Sequence, residues 1–435
     1  MRGTAVVAVI AFHFGVPGAG GGYLGVDVFF VLSGFLITAL LLGERTRTGG
    51  IDLRRFWARR ARRLLPGLVT MLMGVALWGV VVGLPSPATV RGDVLATLAY
   101  VANWRFIVGH AGYFAQYGPP SPLLHTWSLA IEEQFYLLWP LVVIPVARRR
   151  GARGVRDVAV AGALLSAATC VTLAARGADA ARLYYGTDTR AQAILIGAAV
   201  AAILAVRRET ATERGLPRGL PPLADVLPPS PRRRWRGAVP VAGALAVVWS
   251  WHALAGTNRF LYRGGFTLVA VAAAAVIAGV VGRPDDVLAR ALSWRPLRGI
   301  GHVSYELYLW HWPVLLAVTR GRTGWQGASL LAARVVATSL LAVGTWALID
   351  RPVRDRWAAV GRPAVRAAVG AVAAVTLAAL VQNGAKSIVK NPSWTIFLND
   401  SLPEECLLAR AIARSRVSEV SRSAASKYNA INTQA

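Results

Sequence analysis

The chain has 435 residues, 55% hydrophobic and only 16% charged, with a mean hydropathy of +0.47 and a formal net charge of +27. An ordinary soluble domain is nearer a quarter charged, so this composition excludes a disordered chain, a nucleic-acid tail and most cytosolic enzymes. Apolar blocks of about 17 to 23 residues alternate with arginine clusters, which is bilayer-spanning length with the cationic bias that orients membrane proteins.

Spans are expected at 4–16, 24–43, 64–84, 126–147, 157–175, 190–206, 238–255, 264–282, 300–318, 328–349 and 366–383. The arginine-rich joints 45–63, 148–156, 207–236, 283–298 and 351–366 are read as cytoplasmic, which places the N-terminus inside. Joints 15–25, 85–125, 176–189, 256–263 and 319–327 then face outward. Residues 92–108 are moderately apolar. Counting them as a span would put Arg148, Arg149, Arg150, Arg153 and Arg156 outside, so the segment is read as re-entrant or interfacial. The fold class expected is all-α: a polytopic helical bundle in the plasma membrane, with about ten core spans plus one terminal span and the C-terminus outside.

Residues 1–356 are expected to form one transmembrane domain and 357–384 an additional C-terminal span. The tail 385–435 holds all three lysines of the chain and is expected to be a short extracytoplasmic, poorly ordered or artefactual terminus. No cleavable signal peptide is visible, because apolar sequence opens directly after Met1-Arg2-Gly3. Cys170 and Cys406 allow at most one disulfide and no cysteine-based metal cluster.

Polar groups inside spans are costly, so each is a functional candidate. Arg2 and His13 are eleven residues apart, which puts them on nearly one helical face with His13 roughly 16 Å deeper. A snorkelling arginine and a backbone-satisfied histidine would give the same spacing. Asp27 follows a glycine-rich reversal that returns the chain to the depth of His13. It can therefore pair with that imidazole as orienter of a general base, or sit as a carboxylate favoured by the helix dipole. Ser33 and Gly34 permit close helix approach. Glu132 and Glu133 lie about 10 Å inside a span, pointing about 100° apart, so one faces a polar cavity and the other pairs structurally. His311 sits between Trp310 and Trp312, with Glu306 elsewhere on its helix. The arginines from Arg54 to Arg63 serve either as membrane anchors or as an anion site for a phosphorylated, part-apolar donor. No Walker loop, dinucleotide fingerprint or metal-ligand spacing is present.

In these motifs the chain resembles the acyltransferase-3 family of membrane acyltransferases, from Arg2 to about Arg356. Arg2-x10-His13 resembles its first-helix motif. Gly25 to Ile37 resembles its second helix, and Arg54 to Pro66 its arginine block. Ser121-Pro122-Leu123-Leu124-His125-Thr126-Trp127-Ser128-Leu129 running into Glu132-Glu133-Gln134-Phe135-Tyr136 is the most specific match. Ser304-Tyr305 through His311-Trp312-Pro313 resembles the late-helix pattern. The family has several residues before the first-helix arginine, so the chain is expected to lack its native start or to begin at a late methionine. It often has aspartate where Gln192 stands, and usually Glu-Arg-Pro where Asp350-Arg351-Pro352 stands. Asn399-Asp400-Ser401 faintly resembles the start of an extracytoplasmic hydrolase-like domain found in some relatives. The chain is therefore read as a membrane-only or truncated two-domain member.

The resemblance implies transfer of an acyl group, acetyl by default, from cytoplasmic acyl-CoA to a hydroxyl of an extracytoplasmic glycan or glycosylated small molecule. It implies no metal and no nucleic-acid partner. His13 is expected as base, Asp27 as orienter, and Glu132 or Glu133 on the acceptor side. Arg2, Arg55, Arg59, Arg60, Arg62 and Arg63 are expected on the phosphates, and Ser33, His125, Trp127, Ser128, Arg190, Tyr305 and His311 near substrate. Direct transfer and an acyl-histidine route both stay open. The competing class is a proton-coupled secondary transporter, for which matching half-repeats are not evident. A third, weaker reading is an inactive relative acting as a scaffold.

Overall fold

The structure, a computed structural model, describes residues 1–82, 87–109, 120–213, 233–256 and 258–356. The expected terminal span at 366–383 and the tail lie outside these residues. Among the described residues the chain is entirely helical, without strands.

Helix α1 (Arg2–His13) reverses through a glycine-rich turn into α2 (Gly25–Thr48), which Gly49 stops in the left-handed conformation at φ 74°. Gly25 lets the two helices touch, since a Cβ there would meet the Ala5 carbonyl oxygen at 2.5 Å. Helix α3 (Leu53–Val82) begins just before the arginine block, so those side chains are distributed by helical phase and not along a loop. Helices α4 (Pro87–Leu98) and α5 (Ala102–Val108) are 12 and 7 residues long, with Tyr100 at φ 57° between them. Neither is long enough to span alone, so residues 92–108 are not one continuous span.

Helix α6 (Thr126–Ala175) joins two expected spans through a backbone break at Gly151, φ 61°, within the arginine joint. A short α7 (Ala180–Tyr185) leads to α8 (Thr187–Glu213), followed by α9 (Arg233–Ala253) and α10 (Phe266–Gly282). Then come α11 (Val287–Leu292), α12 (Arg295–His302), α13 (Ser304–Ala317), α14 (Arg320–Thr323), α15 (Gly327–Thr345) and α16 (Arg351–Arg356).

Six helical stretches among the described residues are long and apolar enough to cross a membrane. They cover seven expected spans, because α6 holds two. The expected spans at 4–16, 238–255 and 300–318 correspond to α1, to the apolar part of α9 at Gly237–Ala253, and to α12 and α13.

Helix α8 packs between α2 and α6, α10 against α9, and α13 against α15, while α1 touches α2, α12 and α13. At the α2–α8 crossing a Cβ on Gly34 would overlap the Ile194 carbonyl and one on Gly197 the Val31 carbonyl. The polarity is inverted relative to a soluble protein. Leu77, Val81, Leu164, Leu165 and Leu340 are at least 65% exposed, whereas Asp27, Asn103, His125, Arg190 and His311 are buried. Such an exterior suits lipid, and such an interior marks function or ion pairing.

Candidate active site

Three histidines from distant parts of the chain meet in the interior. His13 ends α1, His125 precedes α6, and His311 lies in α13 beside its proline. His13 Nδ1 is 2.9 Å from the Val9 carbonyl and 3.2 Å from His311 Nε2. His311 Nδ1 is 2.6 Å from the Tyr308 carbonyl. The His125 ring centroid is 5.6 Å from that of His311. Trp312 and Phe12 press edgewise on the His13 ring at 5.1 and 5.0 Å.

The expected Asp27–His13 pair does not form. Both carboxylate oxygens of Asp27 lie 2.9 Å from Arg190 Nη2, and the imidazole that His13 meets is that of His311. Arg190, expected near substrate, is 1% exposed and stacked 3.7 Å over the Phe266 ring. Trp127, expected likewise, packs among Phe30, Tyr184 and Tyr185 in the aromatic core and lines neither cavity described next. Gln192 turns to its own helix and to Thr267, accepting from that hydroxyl and donating to the Thr189 carbonyl at 2.7 Å.

Two adjoining cavities approach the histidines. The outer, about 520 Å³, is walled by Arg2, Arg63, Arg298, Arg354, His302 and the buried carboxyls of Glu306 and Asp350. The inner, about 60 Å³, shares Arg2, Arg63, Ser304 and Tyr305 with it and continues past Arg60, Glu132, Tyr136 and Ser33 to Ser128 and Tyr308. Tyr308 lines the inner cavity, and its ring centroid is 5.2 Å from that of His311, which like His13 and His125 lines neither cavity. The Tyr308 hydroxyl donates to the His125 carbonyl at 2.9 Å, so Ser128 Oγ is the donor in the 2.6 Å contact with Tyr308. Tyr136 OH lies 2.9 Å from Ser33 Oγ and 3.3 Å from Glu132 Oε2. Tyr305 donates to the Leu64 carbonyl at 2.8 Å.

Glu132 therefore borders the arginine-lined cavity, and Glu133 lines neither cavity. The arginine block divides by helical phase. Phe56, Arg60 and Arg63 follow at i, i+4 and i+7, so they share the inward face. Arg59 turns out to Glu44 at 3.2 Å, Arg55 is exposed, and Arg62 lines neither cavity. Arg2 Nε and Arg60 Nε are buried with no hydrogen-bond partner. Such donors beside a cavity fit an anionic group, and a phosphorylated donor supplies one.

Sequence reasoning missed Arg298, Arg354 and Asp93, and named Asp350 only as a departure from the family's pattern. Asp93, 3% exposed, accepts from Arg105 Nε at 2.6 Å and from Ser121 Oγ at 2.7 Å, which anchors the loop before α6. Its signal is a carboxylate and an arginine twelve residues apart in a segment otherwise read as apolar.

The chain is similar to YrhL of Bacillus subtilis (strain 168), 37% identical over 362 residues that make up 82% of this chain and 54% of that protein. It is 36% identical over 364 residues to the peptidoglycan O-acetyltransferase OatA of Listeria monocytogenes, covering 81% of this chain and 55% of OatA. With the O-acetyltransferase OatA of Staphylococcus aureus it shares 32% identity over 357 residues, 82% of this chain and 56% of the relative. The chain thus spans about half the length of the curated relatives it matches. No solved structure matches it. The acyltransferase-3 family model, an acyltransferase domain, matches residues 1–351, and the chain belongs to that family.

Proposed function

We propose that this protein is a membrane-embedded O-acyltransferase. It moves an acyl group, acetyl by default, from cytoplasmic acyl-CoA to a hydroxyl of an extracytoplasmic carbohydrate. Cell-wall glycan is the leading acceptor, since the Listeria relative is named a peptidoglycan O-acetyltransferase. The observation that carries the reading is the arginine-walled cavity lined by Tyr308, whose ring centroid is 5.2 Å from that of His311, the residue that meets His13 at 3.2 Å.

Arg2, Arg60 and Arg63 hold the phosphates of the donor, with Arg298 and Arg354 at the outer rim. The donor supplies an acyl group already activated as a thioester. Ser33, Glu132 and Tyr136 line the path of its narrow arm, and Ser128 and Tyr308 set how deep that arm reaches. His13 takes the proton of the acceptor hydroxyl as its oxygen bonds to the acyl carbon and the carbon–sulfur bond breaks. The thiolate released on the arginine side takes up a proton from solvent, and His13 returns the acceptor's proton to solvent, so that no net proton is consumed. Asp27 stays with Arg190 and supports the helices around this path.

The test is acetyl release from labelled acetyl-CoA by inside-out vesicles carrying the protein or its His13→Ala variant. Release that disappears in the variant, with the protein still folded, is the expected result. Full release by His13→Ala would overturn the assignment.

A further inference from the structure

We propose that the outer cavity is a nucleotide pocket, in which Glu306 and Asp350 accept hydrogen bonds from the base or sugar while Arg2, Arg63, Arg298 and Arg354 hold the phosphates. The two carboxyls are thereby specificity residues of the donor site. The proposal rests on the acyltransferase reading for the source of the nucleotide, acyl-CoA.

Glu306 lies in the first turn of α13, and Asp350 ends a π-helical turn, Trp346–Asp350, between α15 and α16. They are 5% and 4% exposed, and both line the cavity of about 520 Å³, a volume ordinary for a small-ligand site. Glu306 Oε2 and both Asp350 carboxyl oxygens are buried and meet no hydrogen-bond donor. The two carboxyls lie within hydrogen-bonding reach of each other. A proton shared between them still leaves acceptor positions open, since a carboxyl offers about four lone-pair sites.

The arginines of the same wall do not fill those positions. Gly67 stands one turn after Arg63 on α3, and its Cβ position is 3.1 Å from Asp350 Oδ2, so Asp350 packs against the helix that carries Arg63. Among the described residues, however, neither carboxyl is ion-paired with any of the four arginines, and Arg354 turns to Asp355 at 3.6 Å.

The combination fits a ligand of mixed chemistry. Buried acceptors without donors are costly until a ligand supplies the hydrogens. Carboxyls beside a phosphate site also repel a ligand that is anionic throughout. A nucleotide complements both halves of the wall, with phosphates for the guanidinium groups and amine or hydroxyl hydrogens for the carboxyls. A phosphopantetheine thioester without a nucleotide lacks the base and the sugar.

The test measures binding of adenosine 3′,5′-bisphosphate and of inorganic pyrophosphate to the detergent-purified full chain. The nucleotide should bind the wild type more tightly than pyrophosphate does. Glu306→Met and Asp350→Leu remove the acceptors at similar volume, and each should weaken the nucleotide about tenfold or more. Pyrophosphate should hold its affinity or gain, because a neighbouring negative charge is gone. A merely structural or electrostatic role would move both probes in the same direction. Glu306→Gln keeps one acceptor oxygen and should lose less, and it carries the test where the apolar variants do not fold.

A nucleotide-to-pyrophosphate affinity ratio that stays at the wild-type value in these variants overturns the proposal. So does a wild type that prefers pyrophosphate. Acetyl transfer from labelled acetyl-CoA, measured on the same samples, separates the pocket from the reading beneath it. Transfer with an unchanged ratio keeps the acyltransferase and ends the pocket. The expected ratios with no transfer by the wild type keep the pocket and defeat the acyltransferase reading.

Discussion

Arg190 Nη2 lies 2.9 Å from each carboxylate oxygen of Asp27, with both side chains 1% exposed and 163 positions apart in sequence. The guanidinium is stacked over Phe266 at 3.7 Å and lies 5.1 Å from the Tyr184 ring centroid. This pair ties the start of α2 to α8, the helix that packs between α2 and α6.

Removing one partner strands a buried charge, so Asp27→Ala and Arg190→Ala should each destabilise the protein by about 3–5 kcal/mol. The double variant should lose less than the two losses added together, because neither charge is then orphaned. Arg190→Lys should also melt early, since a lysine keeps the charge but not the planar stack on Phe266. Thermal unfolding of the detergent-purified variants reads all four. Wild-type melting of Asp27→Ala would remove the pair from any structural role.

The sequence analysis located the long apolar helices behind seven of its expected spans, because hydropathy reports on each segment separately. It missed what depends on distant packing. The depth argument for His13 and Asp27 fails, because Gly22 packs on Ala8 and Gly25 on Ala5, which carries Asp27 towards the start of α1 and away from His13. Asp27 is satisfied by Arg190, and His13 by His311, 298 positions away. No local spacing carries either pairing. The arginine block is a different case: reading 45–63 as a joint hid the helical phase that turns Arg60 and Arg63 inward and Arg59 outward. Extending the helix back to Leu53 would have divided them. The arginines beyond 92–108 argued against one continuous span there, whereas the break at Tyr100 that interrupts the segment was not legible.

That division makes the arginines separable by experiment. Arg63→Ala and Arg2→Ala should each raise the KM for acetyl-CoA about tenfold or more, the scale of a lost charge-assisted hydrogen bond. Neither should change the KM for acetyl-pantetheine, a donor without the nucleotide phosphates. Arg55→Ala, on the exposed side, should match the wild type with both donors. Equal effects of Arg55 and Arg63 would mean that the block acts through overall charge and not through the cavity wall.

Asp93 is linked to His13 through a chain of contacts. It fixes Ser121 by the 2.7 Å hydroxyl contact. The Ser121 carbonyl accepts the Trp312 indole N–H at 2.9 Å, and the Trp312 ring lies 5.1 Å from that of His13. Arg105, the other donor to Asp93, also reaches the Thr89 carbonyl at 3.1 Å, so the carboxylate joins α4, α5 and the loop before α6. Asp93→Ala leaves Arg105 and Ser121 without their acceptor and should cost about 1–3 kcal/mol of stability. Because the same loop braces Trp312, kcat should fall while the KM for acetyl-CoA holds, since the cavity arginines are untouched. Asp93→Glu should recover part of the loss by reaching one of the two donors. Melting temperature and steady-state kinetics measured on the same samples decide the matter. A raised KM with unchanged kcat would place Asp93 on the donor cavity and break the proposed link to His13.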